Sequence, residues 1–398
     1  MLASLSLIFL VGLAMGAICQ KLKMPRIIGM LVTGIVLGPY VLDFLDPSIL
    51  SISSELRKLA LIIILLKAGL SLDLKDLKKA GRPAILMSFV PATCEIAGYI
   101  LFAPLLLGIN RIEAAVMGAV LGAVSPAVVI PRMVMLMEEK YGTKKAIPQM
   151  IMAGASCDDI FVIVLFTTFL SMAQGGSADI INFVNIPVSI VLGILRGAVT
   201  GYGLYLFFET SYAHKHCVRN STKVIIVLGF SMLLVSVEGW LEGKVSVSGL
   251  LAVVSMACVI KIKSTAFVSK RLSEKVGKLW IAAEVVLFVL VGAAVDIRYT
   301  LSAGIAAVFM IFIALIFRTA GVLICTIKTK LNMKERIFCV IAYIPKATVQ
   351  AAIGSVPLAA GLACGKIILS VAVLAIIITA PLGALGIDNT YKKLLEKE

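Results

Sequence analysis

The chain has 398 residues, 60% of them hydrophobic and 15% charged, with a mean hydropathy of +1.06 and a formal net charge of +15. A soluble globular chain is about 45–50% apolar and about 25% charged, which excludes a Rossmann domain, a soluble hydrolase and a nucleic-acid-binding module. The apolar excess is spread along the whole length, so the expectation is a polytopic membrane protein whose positive charge lies in loops on one side of the bilayer.

A spanning helix needs roughly 20 mostly apolar residues. Apolar runs between polar breaks predict thirteen spans, at 2–19, 27–44, 57–73, 83–107, 112–137, 147–173, 187–208, 223–241, 245–260, 279–296, 300–327, 335–360 and 366–386. The runs are continuous, as in Leu61-Ile62-Ile63-Ile64-Leu65-Leu66, and lack the alternation of an outer-membrane barrel strand. The first run has no basic segment before it and leads straight into more spans, so it is read as helix one and not as a signal peptide. Two spans are interrupted. The fifth reads Val124-Ser125-Pro126-Ala127 and then Pro131; the twelfth reads Ile344-Pro345-Lys346-Ala347-Thr348, then Gly354 and Pro357. The eight cysteines have no CxxC spacing, and most sit inside apolar runs as small hydrophobes. The two histidines, His214 and His216, share one polar loop.

Of the 37 Lys and Arg residues, 27 fall in the loops after odd-numbered spans, in the span ends that border those loops or in the C-terminal tail, and at most six fall on the other side. That split predicts an odd number of spans, with the N-terminus outside and the C-terminus in the cytoplasm. Lys67, Arg196, Arg318 and Lys346 lie within spans. Lys67, Arg196, Glu238 and Glu284 are near span ends, where they can snorkel or line a mouth.

The charges also carry a repeat. Asp73 and Asp296 lie 223 residues apart, each closing an apolar helix. Glu95 and Arg318 are also 223 apart, each in the middle of the next span, and Asn110 and Asn332 are 222 apart in the loop that follows. The two broken spans come next. Spans 1–6 and 8–13 therefore read as two copies around span 7, the second upside down. Inverted repeats with paired broken helices mark a secondary transporter with its site near the midplane.

A charge at the centre of a span costs about 2.5–3.5 kcal/mol on insertion scales, so Glu95, Asp158, Asp159, Arg318 and Lys346 need an explanation. Asp158 and Asp159 are adjacent in span six. They repel each other when both are ionised and titrate as a coupled pair. A carboxylate that holds a proton or a bare cation, but not both, is what cation–proton competition requires. Crossed broken helices leave backbone groups without partners and bring helix ends of both signs together. Ser125 and Thr348 lie at the breaks and can offer oxygens. Lys346 can compensate either a helix C-terminus or a carboxylate of the Asp pair. Inverted symmetry makes a buried Glu95–Arg318 ion pair geometrically natural, whether it serves packing or transport.

Ala155-Ser156-Cys157-Asp158-Asp159 resembles the paired-aspartate signature of monovalent cation:proton antiporters. Two further strings resemble the NHA-type sodium/proton branch in particular. They are Pro345-Lys346-Ala347-Thr348-Val349-Gln350-Ala351-Ala352-Ile353-Gly354, and Leu121-Gly122-Ala123-Val124-Ser125-Pro126-Ala127-Val128-Val129 with Pro131. The resemblance spans essentially the whole chain, and thirteen spans, one fewer than animal members, suits a bacterial member. It implies a homodimer, a six-helix core moving as an elevator, and no cofactor. It also implies a cation site at Asp159, a lysine on the crossing helix at Lys346, and a Glu–Arg bridge of the kind offered by Glu95 and Arg318.

The expectation is an all-α protein of 13 transmembrane helices in the cytoplasmic membrane, exchanging sodium or lithium for protons at Asp158 and Asp159, with Ser125, Ser156, Thr348 and Lys346 in support. Residues 1–82 and 187–298 would form the scaffold and dimer surface, with 187–208 as linker helix. Residues 83–174 and 299–387 would form the moving core, and 388–398 a cytoplasmic tail. Besides the ions, the expected partners are membrane lipid and a second copy. Potassium:proton exchange on the same scaffold stays open, because selectivity depends on where the oxygens sit. A channel or uniporter is the second class. An intramembrane aspartyl protease would need its two aspartates on different helices, one in a GxGD string.

Overall fold

The computed structural model describes residues 1–22, 24–71, 74–174, 180–213, 218–241 and 248–397. Asp73, His214, His216 and Lys244 lie outside the described residues, as do the side chains of Ser156 and Arg298. The fold is all-α. Among the described residues the helices run α1 Leu2–Lys21, α2 Arg26–Leu37, α3 Pro47–Ser51, α4 Ser53–Ser71, α5 Leu74–Met87, α6 Val90–Leu107, α7 Arg111–Leu121, α8 Pro126–Glu138 and α9 Ile147–Ala173. They continue as α10 Ile180–Ala213, α11 Asn220–Leu241, α12 Gly249–Lys263, α13 Ala266–Ala293, α14 Ile297–Cys325, α15 Met333–Ala342, α16 Thr348–Ile353, α17 Val356–Ala359 and α18 Gly365–Leu394. Among the described residues every apolar segment read from the sequence contains helix, although α2 stops at Leu37 where the reading ran to 44, and the segment 83–107 is split between α5 and α6. Among the described residues, nine stretches are at least 18 residues long and apolar enough to cross a membrane.

The expected interruptions are present. The backbone is non-helical from Gly122 to Ser125, between α7 and α8, and from Tyr343 to Ala347, between α15 and α16. Pro126 starts α8, where its missing N–H costs nothing. Pro345 cannot donate within a helix and pushes Ile344 out of the helical region. Each broken helix begins with the same device. Asn110 accepts from the Glu113 amide while Glu113 accepts from the Asn110 amide; Asn332 and Glu335 do the same. These capping boxes satisfy two N-terminal amides at each helix start.

The chain divides into two compact units. The first comprises Met1–Ser54, Asp73–Gln174 and Val285–Glu398. Within it, α6 packs along α14, and a Cβ on Gly321 of α14 would come within 2.7 Å of the Pro91 backbone. Ion pairs tie its elements together: Arg132 of α8 forks onto Asp388 of α18 at 2.9 and 3.0 Å, and Lys145, between α8 and α9, reaches both Glu335 oxygens of α15 at 2.8 and 2.9 Å. That contact raises the Lys145 pKa above the usual lysine range.

The second unit comprises Glu55–Leu72 and Gly175–Glu284. Its tightest seam joins α10 to α12. Gly193, Gly197 and Gly201, one turn apart, meet the carbonyls of Ser248, Ala252 and Met256, also one turn apart. Small residues at this spacing let membrane helices approach to backbone contact. Ser255 Oγ donates across the seam to Ile194 O at 2.8 Å. Glu238 accepts from the Gly249 amide at the start of α12, and Lys67 lies 5.8 Å above the Trp280 ring.

Candidate functional site

The two breaks lie against each other. The Ser125 amide donates to Pro345 O at 2.8 Å, and Gln350 spans both gaps. Its Nε2 donates to Ala123 O and its Oε1 accepts from the Ala347 amide, both at 2.8 Å. The Lys346 amide donates to Thr379 Oγ1 of α18 at 3.0 Å. Unwound backbone at membrane depth is tolerated where buried neighbours take up its polar groups, and these side chains do so.

Asp158 and Asp159 sit on α9 beside the first break, both buried. Asp158 Oδ2 accepts from the Val124 amide at 2.8 Å and from Arg318 Nη2 at 3.3 Å. Arg318, on α14, is the hub of the site. Its Nη1 donates to Glu95 Oε2 at 2.6 Å and to Gly122 O at 2.5 Å, and its Nε donates to Tyr343 O at 2.6 Å. Its guanidinium lies 5.5 Å from the centroid of the Tyr343 ring. Glu95 on α6 and Arg318 thus join at the separation of 223 residues that the repeat suggested.

Lys346 takes one of the two roles open to it. Its Nζ donates to Leu121 O at the C-terminus of α7 and lies 2.7 and 2.8 Å from the two Glu95 oxygens. It therefore repairs a helix end and shares Glu95 with Arg318, and it forms no ion pair with Asp158 or Asp159. Four buried oxygens of Ser125, Thr348 and the Asp pair, namely Ser125 Oγ, Thr348 Oγ1, Asp158 Oδ1 and Asp159 Oδ1, have no hydrogen-bond partner among the described residues, and the Tyr343 hydroxyl has none either. Ser156 lies on α9 with its side chain outside the described set.

Sequence reasoning brought forward every charged member of this cluster but missed Gln350, Thr379 and Tyr343. A glutamine three residues after a break, in an otherwise apolar run, was the available signal for Gln350. Thr379 and the Tyr343 carbonyl gave none.

The family model described as "Sodium/hydrogen exchanger, transmembrane" matches residues 5–392. The chain is 35% identical over 388 residues to sodium/hydrogen exchanger 9B2 from Homo sapiens, across 94% of this chain and 70% of that protein. It is 30% identical over 414 residues to sodium/hydrogen exchanger 9B1 from Homo sapiens, across 100% of this chain and 78% of that protein. Among solved structures, the sodium proton antiporter MjNhaP1 from Methanocaldococcus jannaschii at pH 8 shares the fold, with a TM-score of 0.83 and 20% identity over 99% of this chain and 98% of that one.

Proposed function

The chain belongs to the sodium/hydrogen exchanger family of multi-pass membrane transporters, and from that membership we propose that it exchanges sodium, or lithium, for protons at the crossing beside Asp158 and Asp159. One observation carries the reading. Three buried carboxylates, Glu95, Asp158 and Asp159, share a site with two buried cations, Arg318 and Lys346. With every group ionised the cluster is short of one positive charge, which is costly away from water. One monovalent cation or one proton removes the deficit; both together overshoot it. The four unpartnered oxygens supply the neutral and anionic donors a bare cation needs, and Asp159 is the carboxylate left without a fixed countercharge.

Thirteen spans form two inverted six-helix repeats, with the N-terminus outside the cytoplasmic membrane and the C-terminus inside. Residues 83–174 and 299–387 move as an elevator against residues 1–82 and 187–298, which carry the lipid-embedded dimer surface of a homodimer serving pH homeostasis. The paired breaks, the two Asn–Glu capping boxes 222 residues apart and the one-sided distribution of Lys and Arg support this arrangement.

The test uses proteoliposomes with an imposed pH gradient, challenged with sodium, lithium and potassium. The native protein should move protons on addition of sodium or lithium, and Asp159→Asn should not, while remaining folded. Normal exchange in Asp159→Asn would sink the site assignment. A response to potassium of equal size would favour potassium:proton exchange, and ionic currents above transporter turnover would favour a channel.

A further inference from the structure

Tyr343 opens the second break and is buried, and its hydroxyl has no hydrogen-bond partner among the described residues. Its backbone carbonyl and the face of its ring are already held by Arg318. The hydroxyl lies against Gly154 of α9 so closely that a Cβ there would collide with it. Gly154 is four residues before Asp158, one helical turn away and on the same face. Side chains on a helix lean back over the preceding turn, so the Asp158 carboxyl is directed toward the turn that the hydroxyl touches. Asp158 itself is half satisfied: Oδ2 has two donors, and Oδ1 has none. A buried orphan donor and a buried orphan acceptor thus share one face of one helix. Each costs free energy while unpaired, and neither has another partner within the described residues.

We infer that Tyr343 is a positioning residue for transport: its hydroxyl donates to Asp158 Oδ1 when a cation occupies the crossing, and so fixes the carboxylate for coordination. A carboxylate oxygen has lone pairs enough to accept the hydroxyl and face the ion together. Oδ2 stays on Val124 and Arg318 throughout. The bare glycine at 154 is then the slot that admits the hydroxyl, because an alanine methyl would occupy the same space.

This inference rests on the proposed cation site and deepens it. The experiment compares native protein, Tyr343→Phe, Gly154→Ala and Asp158→Asn in proteoliposomes, reading half-saturating sodium and maximal rate separately. Sodium-dependent thermal shift of the detergent-solubilised protein reads binding without transport. Tyr343→Phe keeps the ring, its contact with Arg318 and the backbone carbonyl. It should raise half-saturating sodium about tenfold, the order expected for one hydrogen bond to a charged group, with the maximal rate within about twofold. The sodium concentration needed for the thermal shift should rise in parallel. Gly154→Ala, which crowds the hydroxyl without removing it, should shift affinity in the same direction. Native sodium affinity in either variant overturns the inference, as does a lowered maximal rate at native affinity. If Asp158→Asn exchanges sodium like the native protein, the cation site falls and this inference with it. If Asp158→Asn is inactive and Tyr343→Phe is unchanged, only the role of Tyr343 falls.

Discussion

Arg318 and Lys346 reach the same carboxylate: Glu95 lies 2.6 Å from the guanidinium and 2.7 Å from the ammonium. Two cations on one acid repel each other, and the arrangement holds because each also donates to a carbonyl freed by the first break, Gly122 O for Arg318 and Leu121 O for Lys346. The ion cluster and the interrupted helix are therefore one structure. The break supplies acceptors, and the cations repair the break.

Neutralising Glu95 should accordingly cost more than an ordinary surface change. Glu95→Gln leaves two buried cations with one acid fewer, and a cost of about 3–5 kcal/mol is expected for a broken buried pair. Arg318→Gln removes the donor shared by Glu95, Asp158, Gly122 O and Tyr343 O and leaves the cluster short of two positive charges, so it should cost at least as much. The double change should be milder than the sum of the singles by roughly 0.5–3 kcal/mol. Rescue should stay incomplete, because Lys346 then keeps only Leu121 O. Thermal unfolding of the detergent-solubilised protein measures this. Strict additivity would show that Glu95 and Arg318 are not energetically linked.

Asp158 and Asp159 should separate in stability although the proposed site uses both for exchange. Asp158 holds the Val124 amide and Arg318, so Asp158→Asn should destabilise by about 1–3 kcal/mol. Asp159 is buried with an oxygen that no donor reaches among the described residues, and Asp159→Asn removes a costly charge. Its melting temperature should therefore match or exceed that of the native chain while exchange is lost. A large drop in melting temperature for Asp159→Asn would mean that this carboxylate has a structural partner.

The site was legible in the sequence to the extent that it violates the apolar pattern. Glu95, Asp158, Asp159, Arg318 and Lys346 stand out in apolar runs, and prolines 126 and 345 mark the interruptions, whereas Pro131 lies within α8. What the pattern does not carry is helix rotation. Whether Lys346 turns to Glu95 or to the Asp pair depends on which face of α6 and α9 is presented, and no one-dimensional spacing encodes that. The fork of Arg132 onto Asp388 is opaque for the same reason: 256 residues separate them. The stripe Gly193, Gly197, Gly201 was not singled out in the sequence, and only α12 in place shows which carbonyls it meets.

The matched capping boxes give a test of the two halves outside the ion site. Asn110→Ala and Asn332→Ala each remove an N-cap, at a cost of about 1 kcal/mol. Their effects should add, since the two boxes share no partner. Asn332→Ala should be the more damaging, because Glu335 also anchors Lys145 and loses one of its restraints. Equal, non-additive losses measured by thermal unfolding would argue that the two helix starts are coupled.

The last expectation concerns pH and follows from the deficit of one positive charge. At the proposed site a proton and a sodium ion would each cancel that deficit, so they should exclude one another at the crossing. As pH falls, a larger fraction of the sites carries the proton, and more sodium is needed to displace it. Half-saturating sodium should therefore rise on acidification, and by linkage bound sodium should make protonation harder to the same degree. With one proton displaced per cation, the limiting dependence is about tenfold in half-saturating sodium per pH unit. Initial rates in proteoliposomes at several fixed pH values, equal inside and out, give the slope directly. A slope near two would mean that both Asp158 and Asp159 release protons for each cation, leaving the transport cycle electrogenic. A flat line would place the cation somewhere other than these carboxylates.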